Sequence, residues 1–135
     1  MTAHRAAYAD VIAASIQDKP WGHEVLFADG DHGYVGKLLT IGAGHSLSLQ
    51  YHDRKDETLQ LLSGEALLEH GPSPAALRSL VMQPNQTVHL AALCVHRITA
   101  VQDCVFVEVS TAQTGWRDDV VRLSDHYGRT GTNAP

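Results

Sequence analysis

The sequence predicts an all-β domain, a barrel or sandwich of short strands preceded by one short helix. Two observations carry that reading. Runs rich in Val, Leu, Ile and Thr recur at even spacing and are separated by Gly, Pro, Asp and Asn. No long helical stretch lies between them, which argues against a parallel α/β sheet.

The elements follow in order. Over Ala6–Gln17, the residues Tyr8, Val11, Ile12 and Ile16 fall near helical spacing, and Pro20 stops the pattern. The expected strands are His23–Ala28, Gly33–Ile41, His45–His52, Glu57–Leu62, Glu65–His70, Leu77–Met82, Thr87–Ala91, His96–Val101 and Cys104–Ser110. Breakers such as Asp29-Gly30-Asp31, Gly42-Ala43-Gly44, Ser63-Gly64 and Gln83-Pro84-Asn85 divide them. The stretch Arg117–Asp125 adds a strand or a short helix. The expected organisation is a helical segment at 1–18, one domain at 19–129 and a flexible tail at 130–135.

The 135 residues suit one domain. A chain of this size buries enough apolar surface to fold without disulfides or a structural metal. With 44% hydrophobic and 19% charged residues, the balance is that of a globular protein. The net charge of −5 and the scattered Lys and Arg argue against nucleic acid or an anionic membrane as the partner. No run approaches the ~18 apolar residues that a membrane helix needs. The N-terminus makes a poor signal peptide, since Arg5 and Asp10 interrupt it. A cytoplasmic address follows by default. Cys94 and Cys104 are too few for a disulfide framework and read as two reduced, buried thiols.

In a strand, residues two apart share a face. Ser46, Ser48, Gln50 and His52 therefore line one face of the third expected strand. The turn Asp53–Asp56 can return Glu57 to the side of His52, and His96 opens a later strand. Gln50, His52, Glu57 and His96 make a mixed oxygen and nitrogen set. Such a set suits a divalent zinc, iron, manganese, cobalt or nickel ion better than Cu(I) or a Cys-based zinc site, and leaves positions open for water or substrate. The bland alternative is a pair of hydrogen-bonded core histidines.

Other residues divide similarly. Trp21 reads as a packed aromatic closing the barrel edge, with sugar stacking as the alternative. Lys37 is unusual in mid-strand; pointing inward it binds a phosphate or acts as acid or base, and pointing outward it is surface. Glu108 sits in an apolar run, either as a buried carboxylate or paired with a Lys or Arg. His89 reads as solvent-facing or hydrogen-bonded.

The spacing Gly44-x5-Gln50-x-His52-x4-Glu57-x6-Gly64 resembles the first cupin motif, with Gln in place of its first His, and His96 stands where the second motif has its His. The likeness is closer than that. Lys19-Pro20-Trp21-Gly22, Gly36-Lys37-Leu38-Leu39-Thr40-Ile41, Leu47-Ser48-Leu49-Gln50-Tyr51-His52 and Asp119-Val120-Val121-Arg122-Leu123-Ser124-Asp125-His126-Tyr127-Gly128-Arg129 resemble the C-terminal cupin domain of type II mannose-6-phosphate isomerases, in the same order. The resemblance implies a cupin double-stranded β-helix, or jelly-roll barrel. It also implies one divalent metal on Gln50, His52, Glu57 and His96, zinc ranked first.

Three departures stand out. Lys55 replaces an Arg important for isomerase activity, with Arg54 just before it. Leu59 replaces a Trp, and Ala91-Ala92-Leu93 replaces a Pro-Ala-Gly turn. None removes a ligand, but Lys lacks the fork with which Arg grips a phosphate or carboxylate.

The resemblance implies a metal-dependent aldose–ketose isomerase acting on a small carbohydrate or sugar phosphate. Lys55, Lys37 and Glu108 are the candidate acid/base residues, and Arg54 and Arg97 are candidates for substrate binding. A non-catalytic sugar-binding or sensing cupin and an iron-dependent dioxygenase are the other readings. The related bifunctional enzymes carry a nucleotidyltransferase domain. The sequence has no Gly-rich phosphate loop of that kind, so guanylyl transfer is not expected of it. A homodimer is expected, through exposed sheet edges and the Tyr8-Val11-Ile12-Ile16 stripe.

Overall fold

The computed structural model describes residues 8–132. Eleven strands form two antiparallel sheets, as an all-β barrel requires. They are β1 (Ser15–Lys19), β2 (Gly22–Asp29), β3 (Tyr34–Ile41), β4 (Leu49–Tyr51), β5 (Glu57–Ser63), β6 (Ala66–Gly71), β7 (Arg78–Met82), β8 (Thr87–Leu90), β9 (Val95–Ala100), β10 (Cys104–Thr111) and β11 (Val121–Ser124). One sheet runs β1-β2-β3-β10-β5-β8 and the other β11-β4-β9-β6-β7. Neighbours that are distant in sequence, such as β10 beside both β3 and β5, weave the sheets into a jelly roll.

The expected N-terminal helix is not there. Ala6 and Ala7 lie outside the described residues, residues 8–14 have no regular structure, and Ser15–Lys19 is a strand. The reason is tertiary: Ser15–Lys19 pairs residue for residue with β2, from Ser15 opposite Leu26 to Lys19 opposite Gly22. Edge pairing satisfies backbone groups that a helix of this length would struggle to hold alone. The expected strand His45–His52 is also shorter. Only Leu49–Tyr51 pairs continuously, and Ser46 makes a single bridge to Thr99. The tail supplies both alternatives, a 3-10 turn at Trp116–Asp118 and then β11.

The inner faces change character along each strand. On β10, Cys104, Phe106, Glu108 and Ser110 alternate inward; on β5, Glu57, Leu59 and Leu61 do so; on β9, His96, Ile98 and Ala100. The register aligns the apolar ends, with Phe106 opposite Leu39 and Leu61. One end of the interior is therefore a dry core of Ile41, Leu61, Leu68, Met82 and Phe106, each almost wholly buried. Burying each such side chain stabilises the fold by roughly 1.5–3 kcal/mol. The polar residues are left facing one another at the opposite end.

Trp21 is 4% exposed and belongs to the core, so it is a packed aromatic. Its neighbour Gly22 is obligatory. At φ 152° a Cβ there would come within 1.9 Å of the Thr40 carbonyl oxygen. Cys104 is buried and unpaired, and burial, then the nearby Asp103 charge, pushes its thiol up to about 11. Cys94 is half-buried and also unpaired. Among the described residues no helix is long and apolar enough to cross a membrane.

Candidate metal centre and its cavity

The polar end of the barrel opens into a cavity of about 340 Å³. At its base lie His52, Glu57 and His96, all buried. Their potential ligand atoms all fall within 4.8 Å of one another. His52 Nε2 is 3.4 Å from Glu57 Oε2, and His96 Nε2 is 3.5 Å from Glu57 Oε1. The other ring nitrogens are engaged by backbone. His52 Nδ1 is 2.6 Å from the Asp119 carbonyl oxygen, and His96 Nδ1 is 2.9 Å from that of Cys94. A carbonyl only accepts, so each Nδ1 carries a proton and each Nε2 is the ring atom turned to the centre.

Gln50 lines the same cavity and sits directly opposite His96 in the β4–β9 pairing. Its Nε2 donates to Ser48 Oγ at 2.9 Å, which reserves the carboxamide oxygen for other use. Burial alone would raise the Glu57 carboxyl. Its contacts with His52 and His96 and the charge of Lys55 outweigh burial and hold it well below the usual carboxylate range. Glu57 Oε2 is nevertheless buried without a well-aligned hydrogen bond. A buried anionic oxygen in that state, on a carboxylate with an imidazole Nε2 beside each oxygen, fits a divalent cation.

Lys55 lies between two carboxylates. Its Nζ is 3.2 Å from Glu57 Oε2 and 3.5 Å from Glu108 Oε2. Burial would lower this ammonium, but Glu108 and then Glu57 more than reverse the effect and hold it above its ordinary value. Lys37 points inward. It stands opposite Glu108 in the β3–β10 pairing, and its Nζ is 3.2 Å from Glu24 Oε1. These three candidates therefore converge on the cavity with the four metal candidates.

Arg54 and Arg97 do not join them. Arg54 is exposed and donates from Nη2 to the Thr114 carbonyl at 2.6 Å. Arg97 neighbours His96 on β9 and so faces the other side of the sheet, where its Nε pairs with Glu69 Oε1 at 2.9 Å. Outside the cavity, His89 is exposed and pairs with Asp56 at 2.8 Å, one of the two states expected of it.

Asp119 is a residue that sequence reasoning missed. Its carboxylate accepts the backbone N–H groups of Asp53, Arg54 and Lys55 at 2.7, 3.0 and 2.8 Å. These bonds overcome the effect of burial and lower its pKa. Its own carbonyl receives the His52 ring. One residue thus closes the turn between two candidate ligands and orients one of them. The partners lie more than sixty positions away in sequence, so no local spacing reports the contact.

The chain matches the family described as mannose-6-phosphate isomerase C-terminal over residues 9–125. It is 30% identical over 114 residues to the xanthan biosynthesis protein XanB of Xanthomonas campestris, covering 83% of this chain and 23% of XanB. It is 30% identical over 119 residues to the alginate biosynthesis protein AlgA of Pseudomonas aeruginosa, covering 86% and 23%. The chain thus spans less than a quarter of these relatives. Among solved structures, the capsular polysaccharide assembling protein CapF of Staphylococcus aureus aligns with a TM-score of 0.72 at 12% identity, over 84% of this chain and 35% of CapF. Bacillus subtilis oxalate decarboxylase, described with Mn(II) centres, aligns with a TM-score of 0.61 at 17% identity, over 75% and 30%. Both share the cupin fold.

Proposed function

The chain belongs to the mannose-6-phosphate isomerase C-terminal family, and from that premise we propose that it is a metal-dependent aldose–ketose isomerase acting on a sugar or sugar phosphate. The observation that carries this reading is the grouping of His52, Glu57 and His96, with both Nε2 atoms turned to the carboxylate, at the base of a cavity that also holds Lys55 and Glu108. Gln50, His52, Glu57 and His96 would hold one divalent ion, zinc first. When bound, such an ion supplies the Lewis acidity that polarises a sugar carbonyl.

The protein's own groups do the rest. Glu108 is the carboxylate placed to take a proton from the carbon beside the carbonyl, and Lys55 Nζ, 3.5 Å away, holds a proton within its reach. Lys37 and Glu24 form the opposite wall and orient the sugar through hydroxyl contacts. A second reading, a sugar-binding cupin without turnover, is favoured by one fact. Lys55 is fully engaged by two carboxylates, where the resembling isomerases carry an Arg.

The test combines metal analysis with catalysis. Untagged wild type should carry close to one divalent ion per chain. His96→Ala should lose most of that ion while keeping its far-UV circular dichroism, because the apolar core does not depend on it. With metal saturating, wild type should isomerise mannose 6-phosphate weakly, and Lys55→Arg should raise kcat/KM by about 10-fold or more, since misplacement of a substrate can cost about 10²-fold. A full metal complement in His96→Ala would refute the ligand set. Absence of turnover by both wild type and Lys55→Arg on every sugar phosphate tried would favour the binding module.

A further inference from the structure

Lys55, Glu57 and Glu108 meet at the base of the cavity and are 6%, 4% and 5% exposed. Two carboxylates against one ammonium leave one net negative charge. The cations of the facing walls are committed elsewhere. Lys37 pairs with Glu24 at 3.2 Å and Arg129 with Asp125 at 2.8 Å. The lysine that compensates Glu57 and Glu108 is therefore Lys55. Its place is also fixed from behind, because Asp119 accepts the backbone N–H groups of Asp53, Arg54 and Lys55.

The ammonium treats the two carboxylates differently. It donates a hydrogen bond to Glu108 Oε2 at 3.5 Å. Its contact with Glu57 Oε2 is shorter, 3.2 Å, yet is not aligned as a hydrogen bond, and that oxygen is left without one. Lys55 thus supplies charge to Glu57 without occupying its lone pairs. Two effects of opposite sign follow. A buried carboxylate stripped of its counter-charge destabilises a fold strongly, so Lys55 lets the centre stand without an ion. The same positive charge repels any divalent ion that Glu57 accepts, and does so in a site shielded from water.

We propose that Lys55 is a resident counter-cation of the metal centre, which stabilises the empty site and lowers its affinity for a divalent ion, so that loading is reversible and not a condition of folding. The proposal rests on the reading of Gln50, His52, Glu57 and His96 as ligands and is independent of turnover. Lys55 acts here through Glu57, before any substrate arrives, and Glu108 sets how much of its charge Glu57 feels.

The probe is Zn2+ alone, titrated into the full chain in competition with a chromophoric chelator, with thermal unfolding followed with and without the ion. Lys55→Met, similar in length but uncharged, should bind zinc about 10-fold or more tightly than wild type. Its zinc-free form should melt about 10 °C or more lower. Zinc should therefore raise the Tm of Lys55→Met further than that of wild type. Lys55→Arg keeps the charge and should stay within a few-fold of wild type in zinc affinity. Glu108→Gln turns the ammonium wholly to Glu57 and removes a negative charge, so zinc affinity should fall several-fold. A purely structural role for Lys55 would lower the Tm of Lys55→Met without tightening zinc binding, and that result overturns the proposal. Tighter zinc binding by Glu108→Gln overturns it as well. Should Lys55→Met fail to fold with or without zinc, the direction of the Glu108→Gln change decides. Wild type that takes up neither zinc nor manganese sinks the ligand set and the counter-cation together. Tighter binding by Lys55→Met in a protein that turns over no sugar phosphate would sink the isomerase reading alone and leave the counter-cation standing.

Discussion

Leu93 adopts a left-handed backbone conformation, φ 73°, at the point where resembling isomerases carry a glycine. Its N–H donates to the His52 carbonyl at 2.8 Å, so the strained residue braces a candidate ligand. Its side chain is 60% exposed and contributes little packing in return. The left-handed region costs an L-residue roughly 1–2 kcal/mol, and glycine removes that strain while adding about 0.5–1 kcal/mol of unfolded-state entropy. Leu93→Gly is therefore expected to stabilise the protein by about 0.5–1 kcal/mol, a rise of roughly 2–5 °C in Tm. Thermal denaturation monitored by circular dichroism checks it, and a lowered Tm would show that the Leu side chain matters more than its backbone. The candidate ligands are legible at this scale because strand alternation puts Gln50 and His52 on one face. Lys37 could not be decided from sequence, since direction in a mid-strand Lys depends on which face closes the barrel.

At the scale of elements, each of the nine expected strand runs overlaps an observed strand, because their Val, Leu and Ile faces and Gly and Pro punctuation reflect local physics. The failure at Ala6–Gln17 has an equally physical origin. Tyr8, Val11, Ile12 and Ile16 satisfy helical spacing, but hydrogen bonding to β2 decided the outcome for Ser15–Lys19. Strand β11 is only half-foreseen, because its pairing with β4 is long-range, while the contact that follows it is local. Below it, the Asp125 carboxylate accepts the Arg129 backbone N–H at 2.7 Å and pairs with its guanidinium. The Arg129 hydrogen bond, against the opposing effect of burial, lowers the Asp125 pKa. A carboxyl lowered in the folded state contributes stability that is complete above its ordinary value near ~4 and is lost as pH falls through the lower folded value. Asp125→Asn should therefore cost about 1.5–3 kcal/mol at neutral pH. It should also flatten the loss of stability below about pH 4. Urea denaturation at pH 7 and in acid measures both; an unchanged acid slope would show that Asp125 does not carry the effect.

At the scale of the whole molecule, the sheet that begins with β1 has an open edge there among the described residues. Tyr8, Val11, Ile12 and Ile16, ahead of and within β1, are 82%, 101%, 60% and 72% exposed, so they do not pack on their own barrel. An unpaired edge flanked by exposed apolar residues favours a second copy. We expect a homodimer in solution, weakened by Ile12→Glu with Ile16→Glu. A monomeric mass by light scattering across a wide concentration range would refute it. Strand β4, only three residues long, lies between β9 and β11, and Asp119 closes the turn behind it. All four candidate ligands are thus synthesised before the segment that fixes two of them. A nascent chain shows these side chains to the cell without their final spacing. An ion at the proposed site would meet that spacing only once residues 119–124 have settled against β4, so metal content would report whether this end of the barrel has closed.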